Sequence, residues 1–87
     1  MIVRIRAIDI ECSDPSRGVS PLENALHTRF PGTMILGGQQ RVRVLSKVHG
    51  ERQWVCGPRL RSWLAEWETG HTVKPGWFRM SRVKDGG

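Results

Sequence analysis

Alternating apolar and polar residues predict a β-strand at the start of the chain. In residues 2–8, Val3, Ile5 and Ala7 share one face, and the cations Arg4 and Arg6 share the other. The alternation slips near Ile8, which predicts a bulge or a short turn at that point. The first strand is therefore expected to be short and to carry two arginines on one side.

Residues 41–48 give the clearest strand pattern of the chain. Val42, Val44 and Val48 lie on one predicted face, whereas Arg41, Arg43 and Lys47 lie on the other. Because successive side chains of a strand point to opposite faces, this segment predicts one apolar and one cationic surface.

Three shorter strands complete the predicted sheet. They cover residues 33–36, 52–56 and 77–81. The Gly-Gly-Gln-Gln segment at 37–40 is typical of a hairpin connection. In the closing strand, Phe78 and Met80 point to one face, and Trp77 and Arg79 point to the other.

Capping residues and helical spacing predict two helices. Ser20 and Pro21 begin the first, because a serine side chain accepts from free backbone N–H groups and proline suits the first helical position. This helix ends before Pro31. The second begins at Pro58, and Gly70 fits the left-handed position that follows a last turn. Its apolar stripe recurs at helical spacing and consists of Leu60, Trp63, Leu64 and Trp67.

The order strand, helix, strand meander, helix, strand predicts an α+β fold. Two helices are expected to pack on one face of a small, mostly antiparallel sheet of four or five strands. With 87 residues, the chain allows one small core, so residues 1–84 are expected to form a single domain. Residues 85–87 are expected to be a flexible C-terminal tail.

Charge adds a preference for anionic partners. The chain has 14 Lys and Arg against 8 Asp and Glu, a formal net charge of +6, and such a balance favours polyanions or acidic protein surfaces. The predicted sheet collects cations and one tryptophan on the face opposite the helices. This predicted basic face consists of Arg4, Arg6, Arg41, Arg43, Lys47, Trp77 and Arg79.

Cations around an aromatic ring on an open sheet are typical of nucleic-acid binding. The cations follow phosphates while the ring stacks on bases, and the pattern does not distinguish DNA from RNA. One alternative is a protein-binding accessory or inhibitor that uses Arg and Trp side chains as anchors on an acidic host protein. Another is a charged face that only protects an exposed sheet from aggregation. Trp63 and Trp67 are expected in the core, whereas Trp54 and Trp77 fit the core and the surface equally well.

Several chemistries are disfavoured by spacing. Cys12, Cys56 and the three histidines never approach a metal-binding pattern, so no metal and no cofactor are predicted. Neither the carboxylates nor the thiols suggest a shared pocket with an activating neighbour, so no enzyme is predicted. The first ten residues are too short and too often interrupted by arginine for a membrane span or a secretory segment. We therefore expect reduced thiols, a cytoplasmic location and no membrane partner; the oligomeric state stays open.

Two stretches resemble a family of small, functionally uncharacterised proteins from actinobacteria and their phages. The first is SPLENAL at residues 20–26, and the second is WETGHTVKPGWF at residues 67–78. The chain departs from the family pattern at Gly76, where an aromatic residue is common, and at Trp67-Glu68, where Phe-Asp is usual. The resemblance implies an α+β phage or mobile-element protein in the host cytoplasm, and it implies no activity.

Overall fold

A computed structural model describes residues 1–38 and 40–83 and contains three α-helices and five β-strands. The strands are β1 (Ile2–Ile5), β2 (Met34–Gly37), β3 (Arg41–Ser46), β4 (Gly50–Cys56) and β5 (Gly76–Arg82). The helices are α1 (Ala7–Glu11), α2 (Pro21–Arg29) and α3 (Pro58–Glu68). A single 3-10 turn at Pro15–Arg17 precedes α2.

The five strands form one antiparallel sheet in the order β1-β5-β4-β3-β2. Strands β2, β3 and β4 follow one another as a meander, and α3 connects β4 to its neighbour β5. Strand β1 closes the far edge, and α2 contacts both edge strands, β1 and β2. The sheet therefore curls around α2, and the α+β fold predicted from the sequence is confirmed.

The core lies between the concave face of the sheet and the helices. Each strand contributes alternate side chains to it, as strand geometry requires. The fully buried members are Ile5, Leu22, Leu26, Val42, Val44, Cys56, Leu60 and Met80, together with Pro21. Around them, Trp54, Phe30 and Trp63 are half-buried. An aromatic pair, Trp63 and Phe78, joins α3 to β5 with ring centroids 5.3 Å apart.

Both predicted helices are confirmed with their capping residues. Ser20 Oγ accepts a hydrogen bond from the backbone N–H of Glu23 at 3.0 Å, which starts α2. Gly70 follows α3 with φ of 84°, a left-handed conformation that glycine adopts without a steric cost. Trp67 is buried, and its indole N–H donates to Ser13 Oγ at 3.1 Å.

The prediction for residues 2–8 was wrong in its second half. Strand β1 stops at Ile5, and the short helix α1 replaces the expected bulge near Ile8. The cause lies in Asp9, whose buried carboxylate accepts from the backbone N–H of Arg6 at 2.8 Å. That bond satisfies a free amide at the helix start and turns the chain out of the sheet.

The predicted strand over residues 41–48 was two residues too long. Strand β3 ends at Ser46, whose Oγ accepts from the backbone N–H groups of Val48 and His49 at 3.2 and 3.3 Å. These bonds stabilise a turn instead of further pairing. Val48 is consequently 84% exposed rather than part of the core.

Two further sequence predictions fall wholly or partly outside the described residues. The hairpin predicted at residues 37–40 joins β2 to β3, although residue 39 lies outside the described residues. The tail predicted at residues 85–87 also lies outside them. Within the described ranges, no helix has the length and apolar character needed to cross a bilayer.

Candidate functional site

The face of the sheet opposite the helices carries most of the predicted site residues, and we call it the open face. Its side chains alternate with the buried ones along each strand. They are Ile2, Arg4, Met34, Leu36, Arg41, Arg43, Leu45, Glu51, Gln53, Val55, Trp77, Arg79 and Ser81. The open face therefore combines four arginines with one tryptophan and several aliphatic side chains.

Trp77 is the most prominent aromatic side chain of the open face. It is 58% exposed, and it pairs across the strands with Arg4, whose guanidinium carbon lies 5.3 Å from the ring centroid. Arg79 lies on the same strand and is paired with Ile2 on β1. A cation held against an aromatic ring contributes about 0.5–1 kcal/mol at an exposed site, which restricts both side chains.

Shallow grooves lie on both sides of Trp77, and each has cationic walls. One has a volume of about 360 Å³ and is lined by Arg4, Arg6 and Arg29. The other has a volume of about 320 Å³ and is lined by Arg59 and Arg79. The ring of Trp77 borders both grooves, so a strand of linked anionic groups could follow either of them past an exposed aromatic surface.

Arg41 and Arg43 extend the cationic surface to β3, two strands from Trp77. Neighbouring strands lie about 4.8 Å apart, so these arginines are roughly 10 Å from β5 across the sheet. Among the described residues, Arg41 forms a long hydrogen bond with Gln53, at 3.5 Å, and no ion pair. Arg43 forms an ion pair with Glu51, which neutralises part of its charge. Arg41 is therefore the less neutralised of the two.

Two predicted members of the basic face lie elsewhere. Arg6 comes after the end of β1, where its guanidinium contacts the buried Asp9 carboxylate and donates to Thr28 Oγ1 at 3.2 Å. Lys47 lies in the β3–β4 turn rather than on a strand. The strand alternation that assigned them to the open face does not continue beyond the strand ends. Arg6 still borders a groove beside Trp77.

The carboxylates are distributed unequally between the two sides of the molecule. Among the described residues, Glu51 is the one carboxylate on the open face. The others lie on the helices or their connections, at Asp9, Glu11, Asp14, Glu23, Glu66 and Glu68. Four arginines against one carboxylate make the open face electropositive, and an electropositive face attracts polyanions over long range at low salt.

Sequence reasoning missed Arg29 and Arg59, which border the grooves beside Trp77, and Arg52, which lies over the Phe30 ring. Arg29 ends α2, Arg52 lies on the helix side of β4, and Arg59 lies in the first turn of α3. Their positions depend on how α2 and α3 pack on the curled sheet. One local signal was present, since Arg29 directly precedes Phe30 in the last turn of the first predicted helix.

The two cysteines differ in their surroundings. Cys12 is exposed, whereas Cys56 is buried at the centre of the sheet, and both are free thiols. Burial raises the pKa of the Cys56 thiol above its ordinary value of 9.0, and the positive charge of Arg61 partly opposes that shift. Over residues 1–38 and 40–83, no group of three or more His, Cys, Asp or Glu side chains is placed to hold a metal ion.

No family model, curated protein or solved structure matches this chain. The resemblance to small actinobacterial and phage proteins consequently remains a prediction.

Proposed function

We propose that this protein binds single-stranded nucleic acid on the open face, without catalysing a reaction. The observation that carries this proposal is Trp77, an exposed ring held beside Arg4 on a face with three further arginines. Stacking of an aromatic side chain requires an unstacked base, which a single strand offers and an intact duplex does not. The arginines would contact phosphates, which accounts for an electropositive face with one carboxylate.

The resemblance to small actinobacterial and phage proteins supports a proposal about where this protein acts. We propose that the protein is of phage or mobile-element type and acts in the host cytoplasm. It would bind a strand during an infection or a transfer, and this part of the proposal can be tested by locating the gene beside phage or mobile-element genes.

Titration of labelled single-stranded oligonucleotides, followed by fluorescence anisotropy across a salt series from about 50 to 200 mM, tests the proposal directly. We expect Trp77→Ala to weaken binding by roughly 5- to 150-fold, because stacking contributes about 1–3 kcal/mol per base. A matched control is Trp63→Ala at a half-buried ring on α3, provided that it stays folded. A second control is Ile8→Ala, which shortens an exposed apolar side chain on α1, outside the open face.

The arginines are tested by the slope of affinity against salt concentration. Each phosphate contact removed should reduce the slope by about 0.7 on a single strand. Arg41→Gln and Arg79→Gln should each show this reduction, and Arg61→Gln, on the solvent side of α3, should not. Absence of binding by the wild-type protein at low salt would disprove nucleic-acid binding.

A second candidate function is binding to an acidic protein surface, as an accessory or an inhibitor. It is favoured by exposed aliphatic side chains beside the arginines: Ile2, Met34 and Leu36 are 56%, 60% and 43% exposed. Apolar anchors beside arginines are typical of protein interfaces. Met34→Ser and Leu36→Ser should weaken such an interaction and leave the salt slope of oligonucleotide binding unchanged, because neither removes a charge.

A further inference from the structure

A second cationic surface lies at the end of the molecule where α2 meets the β3–β4 turn. The connection from α2 to β2 and the turn from Lys47 to His49 form the walls of a cleft of about 1010 Å³. We call it the turn cleft. It lies outside the predicted basic face, apart from Lys47, and its cations come from three different elements.

Arg29, Lys47 and Arg52 line the turn cleft. The guanidinium carbons of Arg29 and Arg52 lie 5.8 and 5.1 Å from the centroid of the Phe30 ring, so one ring orients both. Within the described part of the chain, none of the three cations forms an ion pair. The carboxylate at the cleft is Glu51, which is paired with Arg43. The cleft thus contains three positive charges against one carboxylate, and that carboxylate forms its ion pair with Arg43.

Arg52 also has a buried donor that lacks an acceptor. Its Nε atom is inaccessible to solvent and has no hydrogen-bond partner among the described residues. A buried donor of a charged group is costly to leave unpaired, and a bound ion or water is a usual explanation. An oxyanion in the cleft would accept from the terminal N–H groups of the guanidinium and neutralise its charge, whereas the buried Nε–H group is screened from it.

The carboxyl end of α2 carries a partial negative charge that repels an anion in the cleft, but this charge is smaller than that of the three cations. A helix C-terminus carries the equivalent of about −0.5 elementary charge. The three cations outweigh this partial charge several-fold. One of them, Arg29, lies in the last turn of α2 and compensates the helix end directly.

Arg29 connects the turn cleft with the site around Trp77. It lines the groove that Arg4 and Trp77 border, and it also lines the turn cleft. This double position follows from the curled sheet, because α2 contacts both edge strands. A chain of phosphates leaving the exposed ring would therefore meet Arg29 first and Arg52 next.

We propose that the turn cleft binds a phosphate group through the guanidiniums of Arg29 and Arg52, with Lys47 adding charge. The phosphate belongs to a nucleic-acid strand that continues from Trp77 around the end of α2, and this second part rests on the proposed function. A free phosphate compound would offer the same chemistry, so the two sources need separate measurements.

Inorganic phosphate tests the cleft without any nucleic acid. We expect phosphate, compared with chloride at equal ionic strength, to give saturable NMR shifts at the Arg52 Nε–H group and at the amides of Gly32 and Val48. Arg29→Gln, at an exposed position, should weaken this binding by about tenfold or more, because it removes a charge-assisted hydrogen bond. Arg61→Gln makes the same change of net charge on α3 and should leave the binding unchanged.

Arg52→Gln provides a second variant, and unfolding curves will show whether the loss of its contact with Phe30 affects the fold. Non-saturable shifts, or equal phosphate affinity in wild type and Arg29→Gln, would overturn the cleft as a phosphate site. The proposed function would not be affected by that result, because the effect of Trp77→Ala on oligonucleotide binding tests it separately.

Oligonucleotide binding identifies the source of the phosphate. If the strand enters the turn cleft, Arg29→Gln should reduce the salt slope by about 0.7 and Arg61→Gln should not. Phosphate binding together with an unchanged slope would overturn the path of the strand and assign the cleft to a free phosphate compound. Phosphate binding by a protein that binds no oligonucleotide would disprove the proposed function and retain the cleft.

Discussion

Trp77 and Phe78 are adjacent in the chain and lie on opposite faces of one strand. Phe78 is 4% exposed and contacts the Trp63 ring of α3, whereas Trp77 is 58% exposed and lies beside the guanidinium of Arg4. The two aromatic side chains are similar in size, so hydrophobicity does not explain the difference. Strand geometry assigns one to the core and the other to the open face. This exposed ring among cations is the feature on which the proposed binding function rests.

The largest expected difference between the two faces is in stability. Phe78→Ala should reduce the free energy of unfolding by about 3–5 kcal/mol, because it leaves a cavity between β5 and α3. Trp77→Ala should cost less than about 1 kcal/mol, mainly the contact with Arg4. Urea unfolding followed by far-UV circular dichroism measures both. Equal losses for the two variants would show that Trp77 contributes to the core after all.

A smaller difference is expected within the buried face itself. Trp67→Phe removes the hydrogen bond to Ser13 along with apolar area and should cost about 1–2 kcal/mol. Trp54→Phe removes an indole N–H that is buried and has no acceptor among the described residues, so its cost should stay below about 1 kcal/mol. The two unfolding free energies should differ in this direction. The opposite order would mean that the Trp54 N–H has an acceptor in solution.

The buried Cys56 thiol makes the free energy of unfolding depend on pH. Because burial raises its pKa, the folded protein keeps this proton at a pH where the unfolded chain loses it. Its contribution to stability is therefore fully present below the ordinary pKa of 9.0 and is lost as the pH rises through the folded pKa. Cys56→Ala should flatten the decline of unfolding free energy above about pH 9.

Cys12→Ala is the matched control for that measurement, because Cys12 is exposed. It should leave the alkaline decline unchanged. A thiol reagent should modify Cys12 rapidly in the folded protein and Cys56 only after unfolding. Rapid modification of both thiols under native conditions would contradict the buried position of Cys56.

Local patterns predicted the two faces wherever a strand continues. The open face carries four of the predicted arginines: Arg4, Arg41, Arg43 and Arg79. The side chains of a strand point to two faces, and because one face packs against the core, the residues between the buried ones must lie on the other. Arg6 and Lys47 were assigned to the open face wrongly, because the chain leaves the sheet at Asp9 and at the Ser46 turn. Beyond these points, the alternation of residues along the sequence no longer predicts the face on which a side chain lies.

The turn cleft was beyond prediction for a different reason. Lys47 and Arg52 lie close together on the β3–β4 hairpin, whereas Arg29 belongs to α2, which is separated from that hairpin by β2. Only the curl of the sheet around α2 brings them to one end of the molecule. Spacing along the chain reports which side of an element a residue occupies, but it does not report which ends of separate elements meet.

The smallest effect on stability is expected at Glu51, the one described carboxylate of the open face. Glu51→Gln breaks an exposed ion pair with Arg43 and should cost less than about 1 kcal/mol. It also frees Arg43, so the proposed oligonucleotide binding should become tighter and its salt slope steeper by up to about 0.7. Glu66→Gln on α3 changes the net charge equally and is the control. An equal gain for both variants would show that net charge, and not the arrangement of the open face, determines the affinity.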